Sequence, residues 1–512
     1  MRKYSAGIHS NVTEHLLDGT FGLPYHSLDL RETPQDNYNS MTKSTTRFSL
    51  LVFAFALTSS LQAQPVLLAN GTLTGSRAGA NADLSGLNYT LENGAAANLL
   101  GGLGSGLAYA SGNVFLALPD RGPNAMPFDS AIDDTVSYIN RFHTLTMELT
   151  PNTAGGLPFT LTPTLRDTTL LWSLTPLVYG TGAGLGVGSG VPKGNNFFQH
   201  FFTGRSDNFD PKQNSGDPNN ARFDTESIRV SSDGFSVFIS DEYGPYVYQF
   251  SRFTGVRLRS YKLPDIFYVA KPGPVGSTET SSNTSGRTAN KGMEGLAITP
   301  DGRTLVGIMQ NALIQDAKLG SDAANLLRIV TIDILTGQTH QYAYLLTTGS
   351  GVSEIVAIND HEFLVDERDG KGLEGGDGGT SNKAKVKQFF KIDLNGAVDI
   401  SNMDGSTAAT HAVKKTLFLD LVGLLTNSGF AADHIPSKIE GLAFGPDVKT
   451  GSATYHTLWV ANDNDFLTTV AGATGNLLSN PNQFFVFGFT DGDLGGSQFV
   501  PQQFSNLAST LQ

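Results

Sequence analysis

The sequence predicts an all-β protein, a single β-propeller of five or six blades with long loop insertions. Three observations lead there. A strand–turn–strand unit recurs with a carboxylate at its leading edge: Glu226, Glu294, Glu354 and Glu440 each open an apolar run. The intervals between them are 68, 60 and 86 residues. That is too irregular for a solenoid and suits propeller blades of about 40–50 residues that carry insertions. The chain also has 58 Gly, 22 Pro and only 16% charged residues among 512, a turn-rich composition with ample material for one large core.

In chain order, residues 1–40 read as an extension ahead of Met41, the expected initiator. Met41–Arg47 is short and basic, Phe48–Leu57 is apolar, and Thr58–Ala63 is small and polar. This is the pattern of a secretory signal peptide over 41–63, cleaved after Ala63. The apolar run is too short for a membrane span. Residues 64–512 are then the propeller domain, exported to the periplasm or beyond the cell, with no stable membrane insertion.

The best-formed hairpin runs from Lys291 to Asn311. Leu296–Ile298 and Thr304–Met309 are its strands, and Pro300-Asp301-Gly302-Arg303 is its turn. Proline presets φ there and glycine supplies a positive one. Glu294 at the start of one strand and Asn311 at the end of the other are expected to be cross-strand neighbours. Asp224–Glu242 repeats the unit around Ser232-Asp233-Gly234 and ends in Asp241-Glu242. Ser353–Arg368 is another copy, ending Asp366-Glu367-Arg368. Ile439–Asp463 is a fourth, with a lengthened turn. Gly104–Arg121 is a weaker fifth, with Ser105 where the others carry Glu. Further strands are expected at Phe142–Leu149, Tyr246–Ser251, Leu327–Ile332, Gln388–Ile392 and Phe484–Phe489, the last four as outer strands. A peripheral helix is expected over Thr416–Leu425, and loops over 180–222, 271–292 and 370–383.

The net charge of −13 argues against a nucleic-acid partner. With no cysteine there is no disulfide framework, zinc thiolate or Cys nucleophile. No Gly-x-Ser-x-Gly elbow or P-loop occurs. In a propeller, the starts of the first strands and the ends of the second lie around one mouth of the axial channel. Glu226, Asp241, Glu242, Glu294, Glu354, Asp366, Glu440 and Asp463 would gather there, with Arg121, Arg368 and Lys438 beside them and Lys291 on an adjoining loop. Such carboxylates repel one another unless neutralised. A ring of hard oxygen donors suits Ca²⁺. Arginine and lysine beside it suit a small phosphorylated anion. Each glutamate taken alone can equally bond backbone amides or pair with arginine.

The set Asp120-Arg121-Gly-Pro-Asn124, Asp224-x-Glu226-Ser-Ile, Ser240-Asp241-Glu242-Tyr-Gly244, Asn290-Lys-Gly-Met-Glu-Gly-Leu-Ala297, Asp366-Glu-Arg368 and Lys438-Ile-Glu-Gly-Leu-Ala443 resembles the secreted phytase-like family, "esterase-like activity of phytase". The resemblance spans about residues 70–490. It implies an exported bacterial β-propeller and hydrolysis of phosphate esters. The distantly similar β-propeller phytases use calcium at the channel mouth to bind phosphate and activate water. The expectation is therefore a calcium-dependent phosphoesterase, with Glu226, Glu294, Arg121 and Arg368 catalytic and Arg121, Lys291, Arg368 and Lys438 binding substrate. The alternative is a non-catalytic binding propeller stiffened by calcium.

Overall fold

The computed structural model describes residues 64–73, 82–123, 127–374 and 381–505. The expected extension at 1–40, the signal peptide at 41–63 and Asn124 lie outside the described residues.

Five antiparallel sheets of four strands each form five blades, the lower of the two expected numbers. Blade 1 runs Gly106–Ser111, Val114–Leu118, Arg141–Pro151 and Phe159–Leu170. Blade 2 is Thr225–Val230, Ser236–Asp241, Tyr246–Ser251 and Arg257–Tyr261. Blade 3 is Met293–Ile298, Thr304–Met309, Leu326–Asp333 and Thr339–Leu345. Blade 4 is Gly351–Ala357, Glu362–Arg368, Lys387–Asp393 and Lys415–Asp420. Blade 5 takes Lys438–Thr450, Ala453–Asp463 and Gln483–Phe489, and is completed on its outside by Val66–Thr72. The first strands of the blades stand side by side in ring order, and that of blade 5 returns to that of blade 1.

The repeated hairpin is thus the inner half of each blade. In blades 2 and 3 its first strand is buried along its whole length, because neighbouring blades cover both faces. Such strands read as continuous apolar runs instead of alternating. The blade 3 turn forms as its residues dictate. Gly302 has φ +71°, its N–H donates to Thr299 O at 2.8 Å, and Asp301 Oδ1 accepts from Arg303 N at 3.0 Å. Aromatic contacts between blades, such as Phe115 on Trp459 at 4.6 Å, hold the ring together. Each large apolar side chain so buried is worth about 1.5–3 kcal/mol.

Two expectations need correction. Tyr246–Ser251, Leu327–Ile332, Gln388–Ile392 and Phe484–Phe489 lie in third strands, with a further strand outside each. The run Thr416–Leu425 is not one helix. Lys415–Asp420 pairs along Lys387–Asp393 as an outer strand, and Leu421–Asn427 then forms a helix. Asp420 caps it, its Oδ1 accepting from Gly423 N at 3.2 Å. The open edge of blade 4 overrides the helical propensity of the first half. The loop 271–292 carries a short helix, Gly276–Ser281, and 180–222 is largely irregular.

Candidate functional site: the carboxylate mouth

Four of the five inner strands begin with an irregularity in pairing; in blade 1 the shift lies at the far end, between Tyr109 and Ser111. In blade 3 the register runs Met293↔Met309 then Gly295↔Ile308, leaving Glu294 unmatched. In blade 5 it runs Ile439↔Asn462 then Gly441↔Ala461, leaving Glu440. In blade 2 Glu226 and Ser227 are left between Thr225 and Ile228. A bulge turns its side chain out of the ladder, and these three glutamates line the mouth. Blade 4 differs by one residue. Its register runs Val352↔Glu367 then Glu354↔Asp366, so Ser353 holds the bulge position. Blade 1 has Ser105 there. The bulge also corrects the expected partner of Glu294. Gln310 Nε2, not Asn311, donates to Glu294 Oε1 at 2.7 Å.

The slip in blade 4 gives Glu354 another place. One step deeper, the inner strands carry Gly106, Ser227, Gly295, Glu354 and Gly441. A Cβ on Gly295 would stand 2.8 Å from Ile355 N, and one on Gly106 2.9 Å from Glu226 O. The ring is tightest at this level. Glu354 lies fully buried here and accepts from Ser227 Oγ at 2.9 Å, Leu296 N at 3.0 Å and Ile355 N at 3.0 Å. It pairs with Arg229 Nη2 at 2.9 Å. Its carboxylate therefore fills the axis and forms the floor of the mouth.

Above that floor is a cavity of about 400 Å³. Two groups of three buried carboxylates lie at it, and all of their members but Asp224 line it. Asp224, Glu226 and Glu242 form one, and Asp120, Asp463 and Asp465 the other, each with oxygens within 4.8 Å of one another. In the first, Arg121 Nη1 meets Asp224 Oδ2 at 2.7 Å. Burial, then the charge of Glu294, pushes Glu226 well above the usual carboxylate range. Burial, then the charge of Asp224, pushes Glu242 up to about 7. Glu294 is raised by burial and by Glu242, and its Oε2 is buried without a hydrogen-bond partner. In the second group, Lys438 Nζ lies 2.9 Å from Asp463 Oδ2 and also pairs with Asp465. Burial still pushes Asp463 up to about 7, while at Asp465 burial is outweighed by Lys438 together with hydrogen bonds from Glu374 and Asp463, which hold it low. Between the groups, Arg368 pairs with Glu440, approaches Glu294 Oε1 at 4.0 Å, and donates from Nε to Ser353 Oγ at 2.6 Å.

The model of the phytase-like family, "esterase-like activity of phytase", matches residues 98–466, well over half of the 512. The chain belongs to this family. The matched span holds the inner hairpins of all five blades and every mouth residue named above. An uncharacterized secreted protein of Arthroderma benhamiae is 31% identical over 176 residues, 28% of this chain and 34% of that protein. The chain thus matches about a third of that relative's length. Among solved structures, a luciferin-regenerating enzyme is 9% identical, covers 79% of this chain and 97% of its own, and has a TM-score of 0.29. Kuenenia stuttgartiensis hydrazine synthase is 12% identical, covers 71% and 78%, and has a TM-score of 0.27.

Not every residue expected at this phytase-like mouth reaches it. Arg121, Glu226, Glu242, Glu294, Arg368, Lys438, Glu440 and Asp463 line the cavity. Asp241 lies behind it, accepting from Asp224 N, Tyr243 N and Gly244 N at 3.2, 2.9 and 2.8 Å. It holds the turn that presents Glu242. Asp366 is buried below with both oxygens unpartnered, and burial raises it well above its ordinary value. Lys291 Nζ stands 3.5 Å from Gln310 Oε1, outside the lining. Sequence reasoning missed Asp133, Asp134, Asn290 and Asp465, which complete the rim. All four have positive φ, at 52°, 57°, 54° and 47°, four of the seven such non-glycine residues among those described. Left-handed backbone of this kind collects at functional sites, but it is invisible in an Asp-Asp or Asn-Lys dipeptide.

Proposed function

We propose that this protein is an exported phosphate-ester hydrolase whose mouth binds Ca²⁺ beside a small phosphorylated substrate. One observation carries the reading: Asp224, Glu226 and Glu242 converge next to Glu294, which keeps a buried oxygen without a partner. All donors are hard oxygens, and burial with mutual repulsion pushes Glu226, Glu242 and Glu294 toward protonation. Both features fit calcium, which takes about six to eight oxygen ligands. Glu226, Glu242, Glu294 and Asp224 would hold the ion. Glu440 and Asp463 lie around the same cavity and extend the donor set. Bound there, calcium supplies Lewis acidity and a more acidic water.

The chain's own groups do the rest. Arg121, Arg368 and Lys438 face the cavity and would neutralise charge on the phosphoryl oxygens. Glu294 or Glu226 would take the proton from an attacking water. The glutamate floor excludes solvent from below. Lys291, outside the wall, would act on approach. Asp241 and Glu354 are held by the chain's own donors, and they and Asp366 stand outside the cavity lining. A signal peptide over 41–63 would export the protein.

The test is phosphate release from phytate and from an aryl phosphate, with calcium and with EGTA. Chelator-sensitive turnover is expected, and its absence on both substrates overturns the proposal. A second reading, a non-catalytic binding propeller with structural calcium, is favoured by the fact that Arg121 and Arg368 are already paired with Asp224 and Glu440. It predicts calcium-raised thermal stability without turnover.

A further inference from the structure

Residues 499–505 follow the last strand of blade 5 and cross the face of the ring opposite the carboxylate mouth. Their partners lie at the far ends of the inner strands, whose near ends carry the mouth glutamates. In seven residues the segment touches every blade. The Phe499 ring packs 4.7 Å from Phe444 of blade 5. Val500 N donates to Ile358 O beyond the blade 4 strand at 2.8 Å. Gln503 N donates to Pro300 O of blade 3 at 2.8 Å. Gln502 Nε2 donates to Val230 O of blade 2 at 2.7 Å, and Ser505 N to Ser232 O at 2.8 Å. The Phe504 ring stands 6.1 Å from Tyr109 of blade 1.

Between this segment and the Glu354 floor is a cleft of about 80 Å³, with Arg229 on its wall and Phe499, Pro501 and Gln502 closing it. Arg229 gives one Nη1 to Leu107 O at 2.7 Å and Ile228 O at 2.6 Å, and its Nη2 to Ile355 O at 3.0 Å. It thereby ties carbonyls of blades 1, 2 and 4 together while paired with Glu354. Such a pair is strong only while water is kept out. The four hydrogen bonds of the segment also satisfy carbonyls that the ends of the inner strands would otherwise leave open.

We propose that residues 499–505 are a latch that shuts the lower end of the axial channel and keeps the Arg229–Glu354 pair dry. This is independent of what the mouth hydrolyses.

Phenylglyoxal modification of arginine, mapped by peptide mass spectrometry, tests it. Three proteins are compared: the full chain, the double variant Phe499→Ser with Gln502→Ala, and the chain ended after Gln498. The double variant keeps the test decisive if the truncated chain does not fold. Arg141, fully buried in blade 1 and remote from the latch, reports global unfolding. With the latch broken, Arg229 should react at least about tenfold faster while Arg141 stays protected, since reactivity follows the population of the locally open form. If Arg229 reacts no faster than in the full chain, or if Arg141 gains reactivity in step with it, the segment is not a latch and the proposal is overturned.

Discussion

The two carboxylate groups of the mouth are both buried clusters of three acidic side chains, yet they differ in what neutralises them. Asp463 and Asp465 close on Lys438, a cation the chain carries itself. Among the described residues Glu226 and Glu242 have no ion pair, and Glu294 has only the 4.0 Å approach of Arg368. Arg121 is held by Asp224 and Arg368 by Glu440. One side of the mouth thus carries its own cation, the finished side; the other, on the reading proposed above, would take one from solution and is the unfinished side. This contrast teaches where an acidic ring serves as scaffold and where it serves as a receptor.

The largest effect should come from the unfinished side. Glu226→Gln and Glu294→Gln should each lower chelator-sensitive phosphate release by about 10²–10³-fold, with weaker calcium binding by calorimetry. Asp465→Asn, on the finished side, should leave calcium affinity within about threefold. Equal losses on the two sides would erase the contrast.

Lys438→Met should turn the finished side into an unfinished one. Breaking a buried pair costs about 3–5 kcal/mol. Because the Lys438 side chain is 24% exposed, the lower part of that range is expected in denaturant titrations. Calcium should restore more stability to this variant than to the parent. An identical calcium increment in both would show that Lys438 is not standing in for an ion.

The pH dependence follows from Glu242. Burial raises its folded pKa from 4.5 to about 7, so the folded calcium-free protein holds a proton there that the unfolded chain releases. This contribution is fully present below about pH 4.5 and is lost as pH rises through about 7. Across that window the calcium-free protein should lose up to about 3 kcal/mol. Calcium competes with the same proton, so its affinity should fall about tenfold per pH unit below 7. Thermal melts with and without EGTA from pH 4.5 to 8 would show the two curves diverging upward in pH. Parallel curves would count against Glu242 as a ligand.

The smallest effect belongs to Lys291. Outside the cavity wall, it acts on an approaching anion only through the screened field. Lys291→Ala should raise KM about two- to threefold at low salt and have no effect at high salt. A change in kcat would move Lys291 into the site.

Much of this was legible in the residues. The Leu-Ala-Ile and Ile-Arg-Val runs after each glutamate, with Asp-Gly turns, gave the hairpins, and their recurrence gave the ring. Three of the four glutamates reach the mouth because bulges turn them there. Glu354 looked equivalent because it too opens an apolar run, Ile355-Val356-Ala357. Only the pairing of Val352 with Glu367 reveals the one-residue slip. Asp241 was misleading for a related reason, since three backbone N–H groups hold it behind the cavity. Asp133, Asp134 and Asn290 come from loops whose placement depends on tertiary contacts, such as Gly276 N donating to Asp133 Oδ2 at 2.6 Å. No local pattern encodes such contacts.

The strand that completes blade 5 has a kinetic meaning. Thr72 pairs with Gln483 and Val66 with Gly488, so the ring cannot close until both ends of the described chain are present. Closure of this kind is slow to form, since contacts so distant in sequence must be found against chain entropy. Its counterpart is slow opening. No blade can peel away in sequence order without first breaking a contact between the two ends. Persistence in a harsh setting would then be governed by the rate of unfolding more than by equilibrium stability.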